Sequence, residues 1–402
     1  MRPADVIYKA INHEEQDIIP IEAIRGTQDI IPIEDRETTS TSYGTLALDD
    51  YKSAFGFHFL ANEKKRLSAL QANGNSMVGV PTSFGCIYME KVVSYKGQTV
   101  YRSQYGSLIY IRDYPDYTRR IISQAVRWPE DLDHIKILRC DEVDPKGFSH
   151  VVKHVKYWRE QGYFQTGSMK GPFDASWYFL RNFNPWLADL VRATRGSSED
   201  KDFVKRCIDL VCETQVENLK LLVEAGMDMV NVSEDLGEWD HPFISPQTYL
   251  EFIYPWHKKI VDTFHKMGIF VQLHSHGQIN PLLPHMVDAG FDVINPFDPG
   301  DHMDLAEVKE KYGDKITIST IPGFDPWEKI SSWDEVRKRI VDRVKIGSPG
   351  GGFIFSASLP YEGSRITRSA FSKRGEDRGQ PVTDPDTWWD FIQKLRKWHG
   401  IR

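Results

Sequence analysis

From about residue 160 onward, short apolar runs alternate with longer amphipathic stretches. Segments 163–167, 229–233, 269–274, 292–296, 315–320 and 352–356 are short and apolar, which predicts strands. Between them, 175–193, 201–225, 246–267, 280–289, 304–312 and 333–346 predict helices, and 384–399 predicts a last one. In the second of these helices Val204, Cys207, Ile208 and Val211 recur at spacings of three and four, which puts them on one face. Gly226, Gly268, Gly290 and Gly313 stand just past helix ends, where the left-handed turn that closes a helix favours glycine. Nearer the N-terminus, 18–24 predicts an earlier strand.

Strands that alternate with helices build a parallel sheet. A closed barrel and an open doubly wound sheet both satisfy that pattern. The chain has no G-x-G-x-x-G and no G-x-x-x-x-G-K, and its Gly350-Gly351-Gly352 run precedes a strand instead of following one. The expected fold is therefore α/β, a TIM-type (β/α)8 barrel. One barrel domain is expected over residues 1–402, with an irregular insertion at about 30–120. Within that insertion, 100–113 reads as a hairpin around Gly106.

Composition narrows the class of function. Hydrophobic residues make up 40% of the 402 and charged residues 27%, a core-forming mixture and not that of a disordered chain. Lys plus Arg number 50 against 57 Asp plus Glu, a formal net charge of −7, so no basic field is available for nucleic acid or an anionic membrane. No apolar run approaches the ~18 residues of a membrane span, and the first residues show no apolar signal segment. Cys86, Cys140, Cys207 and Cys212 form no C-x-x-C pair, which fits a reducing cytoplasm. A homodimer is left open.

Active sites of such barrels lie where strands end, so the residues after each strand carry the candidate chemistry. Leu273-His274-Ser275-His276-Gly277 places two imidazoles on one side of an extended segment, about 7 Å apart. Together they suit one metal ion, with Asp298 after the next strand as a third ligand. Asp298 begins a D-P-G sequence that equally suits a turn. Glu234-Asp235 crowds two carboxylates after the preceding strand. Asp235 is expected to handle a proton, and Glu234 to serve the metal or its surroundings. Phe173, Trp177, Tyr178 and Tyr361 are candidates for an aromatic substrate pocket, joined by Asn295 and by Arg25 after the first strand.

In order along the chain, Glu234-Asp235-Leu236-Gly237, Ile244-Ser245-Pro246, Leu273-His274-Ser275-His276-Gly277, Asp292-Val293-Ile294-Asn295-Pro296, Tyr312-Gly313-Asp314-Lys315 and Gly351-Gly352-Phe353-Ile354-Phe355-Ser356 form a recognisable series. The series resembles the uroporphyrinogen decarboxylase-like superfamily over about residues 160–400. That group holds the decarboxylase, corrinoid-linked methyltransferases and, more distantly, cobalamin-independent methionine synthase. The resemblance implies a TIM-type barrel with its pocket at the C-terminal rim. The decarboxylase carries an arginine-rich M-R-Q-A-G-R-Y segment, whereas Arg25-Gly26-Thr27-Gln28-Asp29 here has one basic residue. The methyltransferase branch reads H-x-C-G with a later cysteine, and binds zinc through them. By that resemblance His274 matches the histidine, His276 stands in place of the cysteine and Asp298 takes the acidic position. Ser356-Ala357-Ser358-Leu359-Pro360-Tyr361 offers no late cysteine.

A sulfur-poor site leaves zinc a stronger Lewis acid, suited to an ether oxygen rather than to a thiol. The resemblance and this departure from it imply a methyltransferase of the O-demethylase kind. It would take a methyl group from a small methoxylated, aromatic donor and pass it to the cobalt of a separate corrinoid protein. The corrinoid would sit on that partner, because no D-x-H-x-x-G is present. A decarboxylase of a smaller acid, a methylcorrinoid:thiol methyltransferase and a non-catalytic barrel are the competing expectations.

Overall fold

The computed structural model describes residues 2–15, 18–22, 52–53, 76–80, 82–95, 98–112, 118–298, 301–320, 332–356 and 385–396. Arg25 and Tyr361, expected at the substrate, lie outside the described residues.

Eight strands form one parallel sheet: β1 (Ile21–Glu22), β2 (Met77–Gly79), β3 (Phe164–Lys170), β4 (Met229–Ser233), β5 (Phe270–His274), β6 (Val293–Phe297), β7 (Thr317–Thr320) and β8 (Phe353–Ser356). In space β2 to β8 follow chain order, and β1 returns beside β8. The Ser76 N–H, just before β2, donates to the Ile21 carbonyl of β1 at 3.3 Å and closes the ring. The fold is the TIM-type barrel the alternation predicts. Strand β2 has only three residues and was not among the expected strands.

Helix α1 (Pro3–Ile11) plugs the N-terminal end of the barrel. Its Ala4, Ile7, Ala10 and Ile11 pack with Met77, Phe164, Met229, Val293 and Ile354, the strand residues at that end. The opposite end is left for chemistry. Helix α3 (Ser198–Ala225) begins three residues before its expected start, where Ser197 and Asp200 cap each other, and ends at Gly226 with φ +114°.

The expected helix 175–193 is three pieces. A short turn, α2 (Pro172–Ala175), runs into a π-helical segment Ser176–Arg181, and Asn182 at φ +82° separates that from a helix Phe183–Arg195. The expected helix 246–267 likewise contains a π turn, Tyr249–Ile253, before α4 (Tyr254–His265). Such insertions rotate the side chains that follow them, and they recur at functional sites.

Within the stretch 30–120, read from the sequence as irregular, the described residues form a regular antiparallel sheet. Its strands are Lys52–Ser53, Met89–Tyr95, Gln98–Ser103 and Leu108–Arg112, with Thr118–Ser123 completing it. The expected hairpin is there, turning at Gly106 with φ +98°. Met89, Tyr101, Ile109, Ile111 and Ile121 give this sheet its own small core. Among the described residues no helix is long and apolar enough to cross a membrane.

Candidate active site at the C-terminal rim

Strand register decides which side chains meet. Lys170 of β3 pairs with Ser233 of β4, Ser233 with His274 of β5, and His274 with Asn295 of β6. These four occupy one row across the barrel at its C-terminal end. One layer down, Asn231 donates to Ser168 Oγ at 3.1 Å and accepts from Gln272 Nε2 at 3.0 Å. The barrel interior is thus a polar ladder rising to a charged rim.

His274 is held by its neighbours. Its Nδ1 lies 2.8 Å from Asn295 Oδ1, while Asn295 Nδ2 donates to Ser319 Oγ at 2.8 Å. That second bond orients the amide, so Nδ1 of His274 is assigned as the protonated nitrogen and Nε2 carries the lone pair, the form that ligates metals. Asn295, expected at the substrate, is buried and acts on His274 instead. The His276 ring sits edge-on to that of His274, 5.1 Å between centroids.

Among the described residues, His276, Asp298 and Asp301 bring one nitrogen and two oxygen donors within 4.8 Å of one another. His274 lies beside this group, not in it, and Asp301 was not singled out from the sequence. Asp298 and Asp301 are one turn apart, with the Asp301 N–H donating to the Asp298 carbonyl at 3.0 Å. Burial, then the facing Asp298 charge, pushes the Asp301 carboxyl up to about 7. Arg343, nearly buried and lowered to about 10 by that burial, shares the Asp298 charge. A nitrogen with two oxygens is a donor set that fits a divalent ion.

The acidic loop abuts the histidine loop, as adjacency of successive strands requires. The Glu234 N–H donates to the His274 carbonyl at 2.7 Å, and the His276 N–H to Asp235 Oδ1 at 3.2 Å. Gly237 and Gly277 make the approach possible. A Cβ on Gly277, which has φ +88°, would stand 2.1 Å from the Gly237 carbonyl oxygen.

The two carboxylates have different surroundings. Asp235 is half-buried. Burial would raise it, but His276, Lys170 and His274 together hold its carboxyl below the usual range, so it stays ionised. Glu234 is fully buried and turned away, under α2. Its Oε1 accepts the Phe173 N–H at 3.0 Å and its Oε2 the Asp174 N–H at 2.8 Å. Behind it a buried His257 links Glu234 Oε1, 3.2 Å from Nε2, to the Tyr249 hydroxyl, 2.8 Å from Nδ1. Burial and the nearby Asp174 push the Glu234 carboxyl well up, and burial drives the His257 imidazole down to about 3.

Sequence reasoning missed Lys170 and Asp174. Lys170 Nζ donates to Asp174 Oδ2 at 2.6 Å and to Ser233 Oγ at 3.3 Å, both members of the ion pair being buried. The expected aromatics separate around it. Phe173 is wholly core, packed on Phe183 and Phe243. The Trp177 indole N–H donates to Asp174 Oδ1 at 3.1 Å, and the Tyr178 ring lies 5.2 Å from the Lys170 ammonium. The only advance signal was the position of Lys170 at a strand end.

A parallel barrel with histidines, carboxylates and a lysine converging on its C-terminal mouth defines the class: a TIM-barrel enzyme. The family model for uroporphyrinogen decarboxylase (URO-D) matches residues 113–359, more than half of the chain. The chain belongs to that family. Curated relatives include the methylcobamide:CoM methyltransferase MtbA of Methanosarcina mazei, 25% identical over 44% of this chain and 48% of the relative. Another is MtaA of Methanosarcina barkeri, 23% identical over 57% and 65%. The chain thus spans about half of the first relative's length and just under two thirds of the second's. A solved methyltransferase from Methanosarcina mazei superposes over 98% of both chains with a TM-score of 0.58 at 15% identity, a likeness of fold.

Proposed function

We propose that this chain is the demethylating component of a corrinoid methyl-transfer system. It takes the methyl group of a small methoxylated aromatic compound and passes it to the cobalt of a separate corrinoid protein in the cytoplasm. The observation that carries this reading is the donor set. His276, Asp298 and Asp301 converge with His274 alongside, and no sulfur is among them. All four cysteines are free and buried, and burial pushes Cys86, Cys207 and Cys212 above the ordinary thiol range. A zinc or similar ion held by these residues would polarise the departing oxygen as a Lewis acid.

The chain's own residues do the rest. Asn295 fixes the His274 ring, and Asp235, kept ionised, holds the His276 backbone and balances the local positive charge. Trp177 and Tyr178 offer flat surfaces beside Lys170.

The names of the curated relatives favour a second reading, methylation of a thiol from a methylcobamide. One experiment separates the two. Purified protein is assayed for bound metal, then supplied with 2-methoxyphenol and cob(I)alamin, and separately with methylcobalamin and coenzyme M. Stoichiometric metal with methylcobalamin formed from the ether supports the demethylase. Fast, saturable thiol methylation without ether cleavage overturns it in favour of the relatives' activity. Absence of both with loss of CO2 from a small acid supports a decarboxylase.

A further inference from the structure

Lys170 and Asp174 form a buried ion pair in the barrel mouth, Lys170 in the same row as His274. Such a pair is a poor stabilising device, because desolvating both charges offsets much of their attraction. Here the surroundings hold it in place. Gln215, buried on α3, clamps the Lys170 backbone from both sides: Oε1 accepts its N–H at 2.8 Å and Nε2 donates to its carbonyl at 3.0 Å. Asp174 is fixed by the Trp177 indole and, through its own N–H, by Glu234. Lys170 stands two strands from His274, roughly 10 Å between strand axes, a gap that a lysine stem and one aromatic substrate ring together bridge.

Cleaving a methyl ether requires a proton. The O–CH3 bond breaks with its electron pair staying on oxygen. Co(I) provides the pair for the new Co–C bond and becomes Co(III), and the oxygen takes up one proton. The two carboxyl groups of the acidic loop have other tasks, Asp235 on the His276 N–H and Glu234 on the N–H groups of Phe173 and Asp174. We propose that Lys170 is the general acid of this site, its ammonium steadied by Asp174 and giving its proton to the departing oxygen. The neutral amine regains a proton from solvent after product leaves. This inference rests on the demethylase reading.

The test is a leaving-group series: anisoles whose parent phenols range from weakly to strongly acidic, with cob(I)alamin as acceptor. Wild type is compared with Lys170→Met and with Lys170→Arg, which keeps the charge but cannot release a proton. Both variants should lose ~10²-fold or more on anisole itself and under ~10-fold on 4-nitroanisole, whose oxygen leaves without help. A second readout needs neither metal nor turnover. Bound 4-nitrophenol, followed by its phenolate absorbance, should ionise at lower pH on wild type than in water, and Lys170→Met should abolish that shift. Equal loss across the whole series, or an unshifted nitrophenol on wild type, overturns the role of Lys170 while leaving demethylation intact. Failure of wild type to cleave any ether overturns the functional reading and this inference together.

Discussion

Replacing Glu234 by glutamine separates a structural carboxyl from a catalytic one. The side chain is fully buried, and its two oxygens take the N–H groups of Phe173 and Asp174 at 3.0 and 2.8 Å. Glutamine has nearly the same volume but keeps one oxygen. If the amide oxygen stays on the Asp174 N–H, the amide nitrogen faces the Phe173 N–H, donor against donor. One buried backbone N–H is then left unsatisfied, at about 1–3 kcal/mol. Alanine removes both acceptors and opens a cavity, so its cost should be about 3–6 kcal/mol. Urea unfolding followed by circular dichroism reads both. Because α2 carries Asp174, turnover should fall in proportion to how far that turn shifts, with the alanine variant worse in both assays. A Glu234→Gln protein that unfolds within about 0.5 kcal/mol of wild type yet turns over ~10²-fold more slowly would refute the structural account. It would restore Glu234 to the chemistry.

Asn295→Ala removes the acceptor that sets the His274 tautomer, and should weaken metal retention by roughly 10- to 100-fold while costing about 1–3 kcal/mol in unfolding, because buried partners lose their hydrogen bonds; metal analysis of the folded variant after dialysis against a graded chelator decides it, and undiminished retention would exclude His274 from the metal's surroundings. The Glu234–His257 pair also predicts a pH signature. His257, lowered to about 3 by burial, contributes stability that is present above its ordinary 6.5 and lost as pH falls toward 3. Glu234, raised by burial, contributes stability that is present below its ordinary 4.5 and lost as pH climbs toward its folded value. From 6.5 down toward 3, keeping His257 neutral costs about 1.4 kcal/mol of stability per pH unit. Urea midpoints across pH for wild type and His257→Gln should diverge by that slope on the acid side; parallel curves would show that His257 is not held neutral.

The barrel was legible because strand and helix differ in period, and the alternation after residue 160 needs nothing more. What escaped was set by brevity or by register. Met77–Gly79 is three residues long, too short for any period to show. Phe173 and Trp177 carry the same aromatic label in sequence, yet one is sealed in the core and the other bonds Asp174, because a π turn follows immediately after Ala175. His257 looked like one more polar residue on an amphipathic helix, and nothing local announces that its ring faces a buried carboxyl from a loop 23 residues earlier.

The metal group shows the same limit. His274 ends its strand and His276 follows it, the two rings edge to face at 5.1 Å, but the donors that converge on His276 come from the turn after β6. Asp301 meets the histidine loop through the Gly277 backbone, a contact invisible in either loop alone. Lys170 is the extreme case. Lys170 and Asp174 fall between the expected strand 163–167 and the expected helix 175–193, where no period assigns them a face. Only the register of β3 on β4 and β4 on β5 turns the lysine inward, to the row that ends in His274 and Asn295. Periodicity therefore locates the rim of such a barrel, whereas the order of charges around it follows from strand register. That is why the sequence named the acidic loop and the histidines but not the lysine, which shares with His276 and His274 in holding the Asp235 carboxyl below its usual range.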